Sequence, residues 1–189
     1  MFIAARSGIG GRVVRAWAQA LPRGGAVLDL GCGHGFPVTQ TLLEEGLTVF
    51  GVDASPTLLA ALRQRFPSVQ TDCAPVELSD FFGRPFDGII AWGLLFLLEP
   101  TAQKIVFPKI ARALKPGGQF LFTAPALAGA WRDVLTGRES VSLGAEVYRE
   151  LWSAESLGLV SEGEDEGGNH YFCAKKLIAP AAFPGAPSA

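Results

Sequence analysis

Residues 27–35 read VLDLGCGHG, an apolar run that ends in Gly-x-Gly-x-Gly and opens directly into a stretch of helical periodicity from residue 38. The run has the composition of a buried strand, and the glycines behind it allow a sharp turn and close approach of a ligand to the backbone. The helix that follows offers free N–H groups at its start, so strand, loop and helix together form a cofactor cradle. The dinucleotide fingerprint GxGxxG would need a third glycine at position 36, which is Phe36, followed by Pro37. A nicotinamide cofactor is therefore disfavoured, though still an alternative.

On either side of this loop, short apolar or β-branched runs alternate with helical stretches, the pattern of βα units feeding a parallel sheet. Strands are expected over residues 26–30, 48–53, 69–72, 86–92 and 119–124. The sequence GGRVVRAWAQA at 10–20 predicts an amphipathic helix, part of an N-terminal helical segment 9–20 stopped by Pro22. Helices are also expected over 38–45, from the cap Ser55 with Pro56 at its first position, and over 101–114. In the last of these, Ile105, Ile110, Ala113 and Leu114 are expected to face the sheet, and Pro116-Gly117-Gly118 to force a tight return. Residues 126–143 (ALAGAWRDVLTGRESVSL) break the rhythm and read as an irregular insert, the usual place for substrate specificity. A helix over 144–157 and two strands, 159–161 and 171–174, close the pattern. The turn EGEDEGGN at 162–169 makes those strands an antiparallel hairpin.

The expected organisation is a single domain over residues 1–177, with a core at 26–125, the insert at 126–143, a C-terminal helix and hairpin at 144–177, and a disordered Pro- and Ala-rich tail at 178–189. With 49% hydrophobic and 18% charged residues in 189, the chain has ample core material, and its net charge of -2 lacks the basic surface that binds phosphate backbones. Nucleic acid is a poor expected partner. Cys32, Cys73 and Cys173 are widely spaced without a CxxC, which points to reduced thiols and away from a disulfide framework or zinc cluster. The longest uncharged apolar stretch, 88–98, falls well short of the roughly 20 residues of a membrane helix. The N-terminal stretch has no secretion-signal core, so a cytoplasmic protein is expected, free of the membrane and a monomer or homodimer.

Asp53 closes the second strand in VFGVDAS, at the distance from the loop where a carboxylate reaches the two hydroxyls of a ribose; a turn or helix-capping role is the alternative. With that acid placed, the series VLDLGCGHG, VFGVDAS, TDCAPVEL, FDGIIAW and LKPGGQFLFTAP, in this order, resembles the motifs of class I, Rossmann-like S-adenosylmethionine-dependent methyltransferases over residues 26–125. The resemblance implies a three-layer α/β/α sandwich around a seven-stranded sheet ordered 3-2-1-4-5-7-6, its last strand antiparallel. It implies S-adenosyl-L-methionine as cofactor and a methyltransferase activity.

Carried over by position, Gly31, Gly33 and Gly35 floor the methionyl part of the cofactor, with Asp29 beneath and Cys32 and His34 within the loop. Asp53, with Ala54 beside it, takes the ribose. Asp72 takes the adenine amine, flanked by Cys73 and Ala74, and Trp92 lines the methyl-transfer space. Read from the residues alone, the alternative for Asp72 is a helix cap, Trp92 is as often core as pocket, and Cys32 is a packing residue with no base beside it. Asp87 starts its strand, on the far side from the ligand, and reads as structural.

The resemblance leaves the acceptor unspecified. A sulfonium methyl needs alignment more than acid–base help, and of the two histidines His34 is expected at the cofactor's amino-acid end or in solvent. His170 and Tyr171, opening the last strand in NHY, are the candidates to touch the acceptor, unless Asn169 simply stabilises the hairpin. Trp131, Arg138, Glu139 and Tyr148, with Trp92 and His170, are candidates for the acceptor pocket, and Arg6 for a lid. The stretch AWGLLFLL after the fourth strand lacks the Asn/Asp-Pro-Pro-aromatic run of nucleic-acid amine methylases. It also lacks a carboxylate to hold a metal. A small-molecule acceptor without a metal is therefore expected, and a non-catalytic cofactor-binding module is the remaining alternative.

Overall fold

Apolar strands that alternate with amphipathic helices can bury both faces only between two helix layers. The computed structural model, which describes residues 8–132, 137 and 139–178, has that arrangement. Strands β1 (Ala26–Leu30), β2 (Thr48–Val52), β3 (Gln70–Asp72), β4 (Phe86–Ala91) and β5 (Leu114–Thr123) pair in parallel. Beyond the insert, β8 (Leu157–Glu164) and β9 (His170–Lys176) join them, giving the order β3-β2-β1-β4-β5-β9-β8 with β9 antiparallel to both neighbours. This is the expected seven-stranded order once the two strands of the insert are numbered.

Each sheet face has its own core. On one, Val14 and Trp17 of α1 (Gly11–Gln19), Leu42 of α2 (Val38–Glu44) and Leu59 and Leu62 of α3 (Pro56–Arg65) pack on Val27, Val49 and Ile90. On the other, Val106, Phe107 and Ile110 of α4 (Pro100–Ala113) and Tyr148 and Trp152 of α5 (Ala145–Ala154) pack on Leu28, Phe120, Phe122 and Phe172. Ser55 caps α3 as its sequence predicts, accepting from Leu58 N at 3.3 Å.

The structure corrects several details. The insert is not irregular: β6 (Gly129–Arg132) and β7 (Glu139–Ser142) form an antiparallel hairpin of their own. Ile110 and Ala113 of α4 and Leu114 after it pack on the core as expected, but Ile105 is exposed, while Gln103, fully buried, bonds the Leu98 and Val141 carbonyls. The Pro116-Gly117-Gly118 return is absorbed into β5 as an irregularity between Phe86↔Leu114 and Gly88↔Gln119. Helix α5 ends at Ala154, and β8 and β9 run longer than expected, leaving only Asp165–Asn169 for the turn. Asp87 is structural as read: its carboxylate accepts from Ala26 N at 2.9 Å and from Lys115 Nζ at 2.8 and 2.9 Å. Residues 179–189 of the expected tail, and Arg6, lie outside the described residues.

Candidate functional site: the glycine loop and the strand ends beside it

The loop is shaped by backbone conformations that side chains resist. Gly31, Gly33 and Gly35 all have positive φ, at 71°, 55° and 90°. A Cβ on Gly35 would stand 2.8 Å from the Phe66 ring, and one on Gly31 would stand 3.0 Å from Leu94. The loop hangs from the next strand: Gly31 N and Cys32 N both donate to Val52 O, at 2.8 and 3.2 Å. Asp29, buried beneath it, accepts from Thr39 Oγ1 at 2.6 Å and so ties the end of β1 to the start of α2.

Asp53 makes the second tie. Its Oδ2 accepts from Gly33 N and its Oδ1 from Ser55 N, each at 2.8 Å. The turn role and the loop role therefore coexist in one carboxylate. Each oxygen keeps a further lone pair, and the residue is half-buried, so acceptor capacity remains for ligand hydroxyls. Asp72 stands at the neighbouring strand end, half-buried, and accepts from Ser79 Oγ at 2.7 Å while Ser79 Oγ takes Phe81 N. It braces the 73–81 loop rather than capping a helix. Ala54 and Cys73 are exposed and Ala74 half-buried, so the strip between the two acids is open to a ligand. Two carboxylates with spare acceptor capacity beside a glycine bend suit an adenosyl group: hydroxyls for one, an amine for the other.

Two loop side chains point inward. Cys32 is buried, and a Cβ on Gly51 would meet its sulfur at 2.7 Å, which fits packing between strands. His34 is also buried, its ring 6.5 Å from that of Phe36, so the solvent-facing option is excluded.

On the acceptor side Trp92 is half-buried at the end of β4, with the chain crossing it at Gly10, where a Cβ would lie 2.5 Å from the indole. Its ring centroid is 6.4 Å from that of Tyr171. Strand alternation puts His170 on the other face of the sheet, where its ring meets Phe172 edge-on at 4.6 Å and its Nε2 is buried without a hydrogen bond. The two candidates thus do not converge. Asn169 does stabilise the hairpin: its Nδ2 donates to Asp165, whose carboxylate also accepts from Gly167 N and Asn169 N.

Trp131 of β6 pairs with Phe96 at 5.7 Å, forming an aromatic wall over the loop after β4. Tyr148 does not belong to the acceptor pocket. It is fully buried, donates its hydroxyl to Gln103 Oε1 at 2.8 Å and accepts from Leu143 N at 3.2 Å, and burial raises its phenol above the usual range. A large ring one helical turn into α5 is on the core face, which outweighs its polar tip. Glu139 is exposed, and Arg138 lies outside the described residues. Sequence reasoning passed over Thr123, whose Oγ1 accepts from Gly93 N at 2.7 Å and fixes the turn behind Trp92; a buried Thr at a strand end beside a glycine turn was the available signal.

Comparison with known proteins agrees with this geometry. A family described as a methyltransferase domain matches residues 27–118. Methyltransferase GfsG of Streptomyces halstedii is 31% identical over 119 residues, 60% of this chain and 42% of that one. The tRNA U34 carboxymethyltransferase of Hahella chejuensis is 28% identical over 168 residues, 78% of this chain and 51% of that one. The chain thus spans about half the length of the curated relatives it matches. Among solved structures, the 1,6-didemethyltoxoflavin-N1-methyltransferase of Burkholderia thailandensis, with bound 1,6-didemethyltoxoflavin and S-adenosylhomocysteine, superposes with a TM-score of 0.73 and 26% identity. The alignment covers 93% of this chain and 81% of that one. Sheet order, glycine loop and these matches together support a class I, Rossmann-like S-adenosylmethionine-dependent methyltransferase.

Proposed function

We propose that this chain transfers the methyl group of S-adenosylmethionine to a small-molecule acceptor. The observation that carries the cofactor half of this reading is Asp53, which holds Gly33 of the loop while keeping acceptor capacity beside the open strip at Ala54. When bound, the cofactor supplies a methyl group on sulfonium, an electrophile that needs no activation. The chain's part is to grip and to orient. Gly31, Gly33 and Gly35 give the methionyl end room against the backbone, Asp53 takes the ribose hydroxyls, and Asp72 with the Cys73–Ala74 backbone takes the adenine. Trp92, held by Gly10 and the Thr123–Gly93 bond, walls the transfer space and excludes water, so that an acceptor reaches the in-line position at about 3 Å.

The acceptor half rests on Trp92, Phe96 and Trp131, half-buried aromatic faces near the end of β4, and on the absence of a basic balance in the sequence. These favour a compact, partly apolar molecule. Tyr171 beside Trp92 is the better placed of the two proposed acceptor contacts, and His170 would act from the opposite sheet face. Arg138 remains a proposed anchor for an anionic acceptor group. The tRNA-acting relative motivates a second reading, a nucleic-acid acceptor.

The deciding experiment supplies methyl-labelled S-adenosylmethionine with a panel of phenols, amines and nitrogen heterocycles, and separately with unmodified tRNA. Label appearing in a small molecule supports the proposal, and label in tRNA alone replaces it with the second reading. Cofactor binding without transfer to any acceptor favours a binding module, and binding of NAD(P) in its place favours an oxidoreductase.

A further inference from the structure

Two bulky residues in a row, Phe81 and Phe82, hold positive φ angles of 55° and 60° in the loop that leads from β3 to β4. Side chains of this size seldom adopt that region, and such backbone persists where its surroundings over-determine it, often beside a ligand clamp. Both rings are anchored. Phe81 is buried in the core on the α4 side, with the Lys109 ammonium 4.9 Å from its ring centroid, and Lys109 also donates to the Val76 and Glu77 carbonyls at 3.2 and 2.6 Å. Phe82 meets Phe50 edge-on at 5.2 Å, and its N–H donates to Asp80 Oδ1 at 2.9 Å.

What this turn holds in place is Ser79, which is only 3% exposed. Its Oγ accepts from Phe81 N at 3.1 Å and donates its single proton to Asp72 Oδ2 at 2.7 Å. The direction of both bonds is fixed, because a backbone amide can only donate and a carboxylate can only accept. An unrestrained carboxylate turns broadly about its last torsion. Here one oxygen is tied to a buried hydroxyl, so Oδ1 faces away from it, toward the open side of the strand end. Among the described residues no donor meets that second oxygen, and Asp72 as a whole is half-buried.

We propose that Ser79, held by the Phe81–Phe82 turn, is a positioning residue that aims Asp72 Oδ1 at the exocyclic amine of adenine and so sets a preference for a 6-amino purine. The inference rests on the assignment of Asp72 to the adenine. It adds the residue that turns a rotating carboxylate into a fixed acceptor, and it gives the strained turn a role at the cofactor end of the sheet.

The test titrates the full chain with S-adenosylhomocysteine and with its analogue that carries hydrogen in place of the adenine 6-amino group. The wild type should prefer S-adenosylhomocysteine by about tenfold or more, the worth of a hydrogen bond to a charged group. In Ser79→Ala that preference should shrink about fivefold, because the carboxylate regains a free rotor. Ser79→Thr, which keeps the hydroxyl, should retain it. General damage to the pocket weakens both ligands alike and leaves their ratio unmoved, so the ratio separates positioning from mere structural support. Should Ser79→Ala fail to fold, Ser79→Cys, of nearly the same shape but a poor donor and acceptor, replaces it with the same expected result. An unchanged preference in Ser79→Ala or Ser79→Cys, or an equal loss in Ser79→Thr, overturns the proposal and leaves Asp72 at the adenine. A wild type that binds both ligands equally removes Asp72 from the adenine and overturns the proposal with it.

Discussion

The two ends of this sheet are built on different principles. Around β1 to β3, function resides in backbone geometry: three glycines with positive φ, a loop hung from Val52 O, and carboxylates at consecutive strand ends. Around β5 to β9, the candidate acceptor region is made of large side chains whose roles depend on which face each one lands on. Tyr148 and His170 turn to the α5 face, Tyr171 to the α1 face, and Trp131 reaches back to Phe96. A backbone device tolerates almost no substitution, whereas a side-chain wall can be rebuilt without disturbing the fold.

That contrast can be broken most forcefully at Gly35. Gly35→Val combines a φ of 90° with a Cβ 2.8 Å from the Phe66 ring. It should cost about 3 kcal/mol or more of stability and remove cofactor binding, read by denaturant unfolding and calorimetry. A stable variant that still binds would show the loop to be less constrained than its geometry indicates.

Tyr148→Phe sharpens the same comparison from the other end. Losing the hydroxyl leaves Gln103 Oε1 and Leu143 N unpaired, an expected cost of about 1–3 kcal/mol with cofactor affinity intact. If stability is unchanged while acceptor KM rises, Tyr148 belongs to the pocket after all.

A smaller effect is expected from acid. Burial alone would raise the Asp87 carboxyl, but the Lys115 ammonium and the Ala26 N–H outweigh it and hold the group below the usual carboxylate range. A carboxyl lowered in the folded state stabilises fully above its unfolded pKa, and that contribution is lost as pH falls through the folded value. Stability of the wild type should therefore fall more steeply below about pH 4 than that of Asp87→Asn, in which this linkage is gone. Parallel acid limbs would contradict the assignment.

The mildest probe is alkylation. Cys73 is exposed whereas Cys32 and Cys173 are buried, so iodoacetamide should label Cys73 first. S-adenosylhomocysteine should slow that labelling if the strip between Asp53 and Asp72 carries adenine. Mass spectrometry of the peptides gives the order and the protection.

The same division explains what could be read from the chain alone. Glycine conformation, strand-end acids and βα alternation are local, so β1 to β5 and the glycine loop between β1 and α2 were legible in residues 26–125. The acceptor side was not. The β6–β7 hairpin is made largely of residues such as Gly129, Ala130, Glu139 and Ser140, which have little strand preference of their own. In α4 the burial of Gln103 was not legible, because two of its partners, Val141 and Tyr148, are distant in sequence. The edge strand β8 carries Glu162, Gly163 and Glu164, which weaken its local signature. Tyr148 looked like a pocket residue because its polar tip was visible and its burial was not.

The account stands or falls on the grip of Asp53. Isothermal titration of S-adenosylhomocysteine into the folded wild type and Asp53→Ala should give saturable one-site binding to the first and an affinity about a hundredfold lower in the second. That is the loss expected when charged hydrogen bonds to ribose and the Gly33 tether go together. No heat of binding with the wild type, or equal affinity in both proteins, would contradict it.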